Sequence, residues 1–173
     1  MKSLSKLIAA AFIASAIFVS NSAKAQTTPA NAFRFGVGLE SGIPLGVANA
    51  KTHFELGGTA RLQYGLSNSV ALTLTSGFYN LFGTNYPDGL TRPSLHMIPV
   101  KAGVKAFFAP NFYFGAEAGA AFVTNNGFVK LDLAPALGFA NKSWDVGVRY
   151  ENYSGQGNNY GLVGLRIAYG FGL

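Results

Sequence analysis

Apolar and polar side chains alternate along most of the chain beyond residue 32. In the first such segment one parity is apolar and the other carries charge or glycine: Phe33, Phe35, Val37 and Leu39 against Arg34, Gly36, Gly38 and Glu40. Successive side chains of a β-strand point to opposite faces, so a period of two indicates a strand with one apolar and one polar face. The pattern therefore predicts a two-faced strand here.

The alternation returns seven more times, in segments of 8 to 10 residues, and we expect strands of about 9–11 residues, the length that crosses a bilayer at a tilt. These segments are 55–64, 70–79, 98–105, 112–119, 130–139, 144–151 and 163–171. Their connections are short at 65–69, 109–111 and 140–143, intermediate at 123–127, and longer near 42–52, 80–94 and 152–159. Short turns at one end and longer loops at the other are typical of outer-membrane barrels. The predicted fold is all-β, an eight-stranded antiparallel up-and-down transmembrane β-barrel.

The first 25 residues have the features of a secretory signal. Lys2 and Lys6 precede an apolar run over residues 7–19, and Ala23-Lys24-Ala25 is an A-x-A cleavage site. The apolar run is too short to span a bilayer, which needs about 20 residues. We therefore predict export to the bacterial outer membrane and the following division: a cleaved signal peptide over 1–25, a short segment over 26–31 and the barrel over 32–173.

The composition supports a membrane protein. Hydrophobic residues make up 49% of the chain and charged residues only 12%, about half the charged share of a soluble domain. The chain has no cysteine, which excludes disulfides and thiolate metal sites. The net charge is +6, but Lys and Arg beyond the signal are scattered singly, so we predict no nucleic-acid partner. No cofactor is predicted.

The polar face collects almost all the charge of the predicted barrel. Six of the seven acidic residues share it with seven basic ones and most of the glycines. An eight-stranded barrel is just wide enough inside for side chains, so these charges should pair with one another. The predicted interior ion-pair network, with Asp145, Glu151 and Lys130 on the same face, consists of Arg34, Glu40, Glu55, Arg61, Lys101, Lys105, Glu117, Asp132, Arg149 and Arg166.

Matching the faces across two short turns predicts the register of two hairpins. In the first, Phe108 opposes Phe112, and Glu117 lies diagonal to Lys101 and Lys105, so these are predicted ion pairs.

In the second hairpin, Phe139 opposes Trp144, and Arg149 lies diagonal to Asp132. Pro135 fits badly inside its strand, because a closed barrel offers no free edge; a bulge there would accommodate it. Pro99 is easier to accommodate, since it is placed near the start of its strand.

Large aromatic residues on the apolar face mark the short-turn end of the predicted strands. They are interpreted as an interfacial girdle and comprise Phe33, Tyr64, Phe108, Phe112, Phe139, Trp144, Tyr169 and Phe171. Aromatic residues are also common in soluble strands. A soluble lipocalin-like carrier therefore stays open as an alternative fold, with the apolar face turned inward.

Three stretches resemble the small outer-membrane β-barrel family of the OmpX and OmpA-barrel type, in its Bacteroidota-like form. The stretch from Ile98 to Lys105, followed by 111–119, is similar to that family's central hairpin, and 145–151 is similar to its penultimate strand. The ending 169–173 resembles the terminal strand read by the barrel-assembly machinery, although Leu173 replaces the commonest terminal Phe. The resemblance implies a shared architecture and no single activity.

The leading functional hypothesis is an integral outer-membrane scaffold that presents loops outside the cell and has no open pore. We expect a monomer in contact with outer-membrane lipid and the barrel-assembly machinery, with the loop ligand unidentified. The longest loop carries a turn signal at Tyr86-Pro87-Asp88-Gly89. A loop role in binding and a role in merely closing the barrel are both open.

Two other functions are weighed against the scaffold. An outer-leaflet lipid-modifying enzyme would need a nucleophile, a base and an orienting carboxylate. Ser94 and His96 share a face, but no outward carboxylate accompanies them, and His53 is distant, so we predict neither an enzyme nor a metal site. A small pore conflicts with a lumen filled by side chains.

Overall fold

The computed structural model describes residues 29–45, 52–83 and 93–173. Within these residues, eight β-strands each pair antiparallel with the next, and β1 pairs with β8 to close a barrel. The strands are β1 Phe33–Leu45, β2 Thr52–Gly65, β3 Val70–Gly83, β4 Leu95–Ala109, β5 Phe112–Val123, β6 Val129–Ala140, β7 Trp144–Gly155 and β8 Tyr160–Gly172. The predicted eight-stranded barrel is confirmed.

The two faces also lie as the alternation predicts. Leu39 exposes 68% of its surface on the outside of the barrel, whereas its neighbour Glu40 exposes 2%. The same contrast holds on all eight strands, with large apolar side chains outside and buried residues in the lumen; the inward residues include charged side chains on every strand but β3, where Thr73 and Thr75 face inward. The barrel therefore turns its polar face inward, opposite to a lipocalin-like carrier.

The strands are longer than predicted, with 12 to 15 residues each. The extra residues lie mostly at the end opposite the short turns, called here the upper end, where inward positions are apolar as well. Leu81, Met97 and Leu162 are examples, and all three are buried. The predicted long connection 152–159 is consequently wrong, since only residues 156–159 separate β7 from β8.

The short turns 66–69, 110–111 and 141–143 are confirmed. The signal peptide, most of the segment 26–31 and the loop that carries Tyr86-Pro87-Asp88-Gly89 lie outside the described residues. Within residues 29–45, 52–83 and 93–173, no helix is long and apolar enough to cross a membrane.

The predicted register of the β4–β5 hairpin is confirmed over most of its length, with Glu117 opposite Gly103, and it fails only beside the turn. Phe107 pairs with Tyr113 and Ala109 with Phe112, so Phe108 sits in a bulge and does not oppose Phe112.

In the β6–β7 hairpin, Phe139 opposes Val146, two residues away from the predicted partner Trp144. Because a slip of two residues preserves the faces, matching the faces could not exclude it. Arg149 consequently lies opposite Ala136 and farther from Asp132 than predicted.

The two prolines interrupt ladders without shifting them. The β6–β7 pairs Leu133–Asn152 and Ala136–Arg149 share one register across Pro135, so the bulge considered there is absent from the described β6. Pro99 lies within β4, not near its start, and the β3–β4 ladder similarly skips from Ser76–Val100 to Tyr79–Met97. Proline has no N–H to donate, which accounts for both gaps.

The side chains inside the barrel form layers. An apolar lid closes its upper end and is formed by Tyr79, Leu81, Met97, Ala121, Val123, Tyr153 and Leu162, with Leu95 and Tyr160 packed against it. A smaller group of Phe107, Tyr113 and Ala140 lies at the short-turn end, called here the lower end. The charged side chains fill the space between these two apolar layers.

Candidate functional site: the charged lumen and the upper rim

The charged side chains form two groups. The upper cluster consists of Glu40, Glu55, Lys101, Asp132, Arg149, Glu151 and Arg166, and the lower cluster of Arg61, Lys105, Glu117 and Asp145. All eleven side chains point into the lumen from strands whose opposite face is apolar.

Arg149 is the hub of the upper cluster. Its guanidinium contacts three carboxylates: Nη1 lies 2.7 Å from Glu40 Oε2, Nη2 lies 2.7 Å from Glu55 Oε1, and Nε lies 3.0 Å from Glu151 Oε1. A planar fork with five donors suits such a multiple contact. One cation thereby joins strands β1, β2 and β7 across the lumen.

Glu40 links the first and last strands on the inner face of the barrel. It lies directly opposite Arg166 in the β1–β8 ladder and forms an ion pair with it. Thr59 Oγ1 donates to Glu40 Oε1 at 2.6 Å, and Tyr79 Oη donates to Oε2 at 2.9 Å. The Glu40 carboxylate, at the inner face of the seam between the first and last strands, therefore has protein donors on both of its oxygens.

Lys101 connects the upper cluster to β6. Its Nζ forms an ion pair with Glu151 and lies 3.4 Å from Asp132 Oδ2. Tyr153 Oη donates to Glu151 Oε2 at 2.6 Å. Glu151, which the predicted network omits, is thus a central acceptor, and it receives donors from three different side chains.

In the lower cluster, each carboxylate combines a cation with neutral hydroxyl donors. Glu117 accepts from Arg61 Nη2 at 2.9 Å, from Thr73 Oγ1 at 2.9 Å and from Thr75 Oγ1 at 2.7 Å. Asp145 forms an ion pair with Lys105, and Tyr113 Oη donates to its Oδ1 at 2.7 Å.

Glycines on the inner face make room for these side chains. A Cβ added to Gly138 would lie 2.5 Å from Tyr113 Oη, and one added to Gly170 would lie 2.2 Å from Arg34 Nε. The interleaving of glycine and long polar residues seen in the sequence therefore has a packing cause.

The structure changes the predicted partners. Glu117 pairs with Arg61 and with neither Lys101 nor Lys105, which bind Glu151 and Asp145 instead. Asp132 contacts Lys101 and not Arg149.

Arg34 belongs to the predicted network, but it forms no ion pair with any described residue. Its Nη1 donates to the backbone oxygen of Asn141 at 3.0 Å. Lys130, also inward, donates to the backbone oxygens of Gln156 and Asn158.

Little empty space remains beside these groups. One cavity of about 20 Å³ lies between the clusters, against Arg61, Glu117, Arg149 and Arg166. A second of about 20 Å³ lies at the lower end, against Arg34 and Asp145. Each has room for one or two water molecules, since a water needs about 10–15 Å³.

The predicted girdle residues lie at the lower end of the outer surface and touch one another. Ring centroids are 4.8 Å apart for Phe33 and Tyr64 and 5.2 Å apart for Trp144 and Tyr169. Phe108, Phe112, Phe139 and Phe171 join similar contacts.

Aromatic residues that the sequence analysis did not assign also lie outside near the upper end, among them Phe54, Phe82, Phe122 and Phe128. They were missed because the predicted strands stopped short of them.

Ser94 and His96 do not form a catalytic pair. The His96 ring packs against Phe78 on the outer surface, with centroids 5.6 Å apart. The Asn125 side chain instead satisfies the backbone of both, since it accepts from His96 N and donates to Ser94 O. In the part of the chain that the structure describes, no group of three or more His, Cys, Asp or Glu could hold a metal ion.

The fold is that of solved small outer-membrane barrels. Ail of Yersinia pestis in a phospholipid nanodisc aligns with a TM-score of 0.59 at 14% identity, over 82% of this chain and 99% of that one. A de novo designed transmembrane β-barrel aligns at 0.51 with 17% identity, over 83% and 98%.

The N-terminal β-barrel domain of Pseudomonas aeruginosa OprF aligns at 0.50 with 13% identity, over 82% and 98%. No protein-family model matches the sequence, and no curated protein matches it. The chain therefore shares the architecture of eight-stranded outer-membrane barrels, and identities this low carry no function with it.

Proposed function

We propose that the protein is an integral protein of the bacterial outer membrane, a plugged and non-conducting barrel that serves as a scaffold for surface interactions. The observation that carries the proposal is the inversion of the barrel: its outer surface is apolar and its lumen is filled with paired charge. A lipocalin-like carrier would have the opposite arrangement, with its apolar face turned inward.

The outer surface supports the membrane assignment. Large apolar side chains are exposed on every strand, and they form a continuous belt between the aromatic residues of the two ends. A soluble monomer rarely exposes apolar patches larger than a few hundred Å². In a bilayer the same belt contacts the lipid chains. The closed ring of paired strands satisfies the hydrogen-bonding groups of the backbone.

The lumen supports a plug. The two clusters cross-link strands on opposite sides of the barrel, and the apolar lid covers them. An aqueous path would have to pass both the lid and the ion pairs, which leave cavities of about 20 Å³. Eight-stranded barrels are filled by side chains in just this way.

The upper rim supports an interaction role. Amide side chains fix the two described connections there: Asn126 accepts from Phe128 N, Gln156 accepts from Val129 N, and Asn159 accepts from Gly155 N. Rigid barrels position surface loops for binding. Ail, which shares the fold, is named as an attachment invasion locus protein.

Conductance across a planar bilayer tests the plug, and a lipid-facing substitution tests the orientation. We expect no steady open-channel current from the wild type. Val148→Arg should cost about 2–4 kcal/mol of unfolding free energy in vesicles, because Val148 faces outward at mid-strand. Gly58→Ala, which is also outward and meets nothing within 4 Å, is the control. A steady current, or a neutral Val148→Arg, would overturn the proposal.

We also propose that the chain is cleaved after Ala25, that it is inserted by the barrel-assembly machinery and that it works as a monomer. Because residues 98–105 and 145–151 resemble the Bacteroidota-like form of the family, we propose that the chain belongs to that form. N-terminal sequencing of protein from outer membranes checks the first, and a start at Met1 would contradict it.

A further inference from the structure

The upper cluster has more acidic than basic groups. Among the described residues it contains four carboxyl groups, Glu40, Glu55, Asp132 and Glu151, and three cations, Lys101, Arg149 and Arg166. The lower cluster is balanced, with Arg61 and Lys105 against Glu117 and Asp145. One negative charge in the upper cluster therefore lacks a partner if every carboxyl is ionised.

Asp132 is the carboxyl group that is least supported. It is fully buried, and neither of its oxygens accepts a hydrogen bond from any residue that the structure describes. Its one close cation is Lys101, at 3.4 Å, and that ammonium is committed to Glu151 and to Tyr79 Oη. Glu55, by comparison, accepts from Arg149 at 2.7 Å.

Besides Lys101, the cations around Asp132 are already engaged with other groups. In register it lies opposite Gly119 of β5 and Tyr153 of β7. Glu151 and Arg149 of β7 face it with Lys101 of β4, and Tyr160 of β8 is also near. On its own strand, Lys130 donates to the backbone oxygens of residues 156 and 158. Arg149 is already shared by three other carboxyl groups.

The two cavities described above and the metal-binding residue types give Asp132 no partner either. It does not line either of the two cavities of the lumen. The described residues also form no metal-holding group of carboxylates. A buried charge without partners is so costly that the group takes up a proton and becomes neutral instead.

We propose that Asp132 is a proton-binding site: in the folded barrel at neutral pH it is a neutral carboxylic acid, and Glu151 beside it is the ionised partner of Lys101. The upper cluster then has three carboxylates for three cations. The proton sits beneath the apolar lid and can exchange with solvent only when the lid or the lumen opens. The site goes beyond the proposed scaffold role and does not depend on it.

Carbon-13 NMR of protein labelled at the aspartate carboxyl carbon tests the site in the intact barrel. The chain has three aspartates, Asp88, Asp132 and Asp145. We expect one carboxylic-acid resonance and two carboxylate resonances at neutral pH. Asp132→Asn should remove the acid resonance, and Asp88→Asn, outside the described residues, should leave it. Three carboxylate resonances in the wild type, or an acid resonance that survives Asp132→Asn, would overturn the proposal even if one variant fails to fold.

Unfolding equilibria supply a second readout. Asp132→Asn replaces a neutral acid by a neutral amide, so the unfolding equilibrium constant should stay within about tenfold of the wild type. Glu151→Gln removes an ionised partner of Lys101 and Arg149, and it should raise that constant by more than about a hundredfold. A constant that falls more than about tenfold below the wild type on Asp132→Asn would show that an unpartnered charge had been removed, and a rise of more than about a hundredfold would show that a paired one had been; either result would overturn the proposal.

Discussion

The two clusters of the lumen consist of the same residue types and differ in the groups that contact their carboxylates. The upper cluster lies beneath the apolar lid, and among the described residues hydroxyls donate to Glu40 and Glu151, whereas Glu55 and Asp132 have contacts with arginine or lysine only. The lower cluster lies beside the two cavities, and threonine and tyrosine hydroxyls complete the shells of its carboxylates.

This difference shows what neutral donors contribute inside a narrow barrel. Hydroxyl groups satisfy a carboxylate without adding charge, so the lower cluster reaches balance with two cations and two anions. The upper cluster relies on multiple contacts to each cation, and unpartnered oxygens remain on Glu55 and Asp132 within the described lumen. The upper cluster should therefore respond more strongly to the loss of one cation.

The largest expected effect is that of Arg149→Met. The substitution leaves Glu40, Glu55 and Glu151 without their shared cation, and we expect a loss of about 3–5 kcal/mol in the free energy of unfolding. Urea unfolding in lipid vesicles measures it. Lys130→Met is the control, because that ammonium donates to two backbone oxygens and lies over the Tyr160 ring, with no carboxylate partner among the described residues, and its loss should cost about 1 kcal/mol. Similar losses for both would show that sharing Arg149 among three carboxylates adds nothing to stability.

The next effect is the coupling between Arg61 and Glu117 in the lower cluster. A double-mutant cycle with Arg61→Met and Glu117→Gln should give a coupling energy of about 1–3 kcal/mol, because the two groups share a hydrogen bond of 2.9 Å. The matched cycle of Lys101→Met with Glu117→Gln should give less than about 0.5 kcal/mol, since these groups belong to different clusters. A larger coupling in the second cycle would mean that the clusters act as one network.

A smaller effect is expected for Gly138→Ala. The new Cβ would lie 2.5 Å from Tyr113 Oη and would displace the hydroxyl that donates to Asp145. We expect a cost of about 1–3 kcal/mol from overpacking. Gly58→Ala on the outer surface is the control and should be neutral or slightly stabilising. A neutral Gly138→Ala would show that the lower cluster adjusts freely.

The smallest expected effect is that of Arg34→Met. Its guanidinium has one backbone acceptor and, among the described residues, no carboxylate, so the loss should be about 1 kcal/mol or less. The same vesicle titration measures it. A loss comparable to that of Arg149→Met would indicate an acidic partner at the lower mouth.

The alternation of side chains was sufficient to predict the eight strands and both of their faces, because a period of two survives in every segment that carries charge. It failed at the upper ends, where Leu81, Met97 and Leu162 face inward beside outward apolar residues. With both faces apolar, the period disappears, and the strands were predicted too short.

The ion pairs could be predicted as a set but not as partners. Arg61 and Glu117 lie on β2 and β5, 56 positions apart, and they meet across the lumen. Their relative height depends on the tilt of all the strands between them, which no local pattern contains. The interpretation from neighbouring strands therefore paired Glu117 with the lysines of the adjacent strand, and that was wrong.

The two proline gaps also divide the wall of the barrel mechanically. The β3–β4 ladder is interrupted beside Pro99 and the β6–β7 ladder beside Pro135, so β4, β5 and β6 form a ribbon bounded by two weakened seams. Hydrogen bonds loaded side by side resist force together, and a missing rung concentrates the load on its neighbours. These two seams should therefore resist sliding of their strands less than the continuous β5–β6 ladder that lies between them.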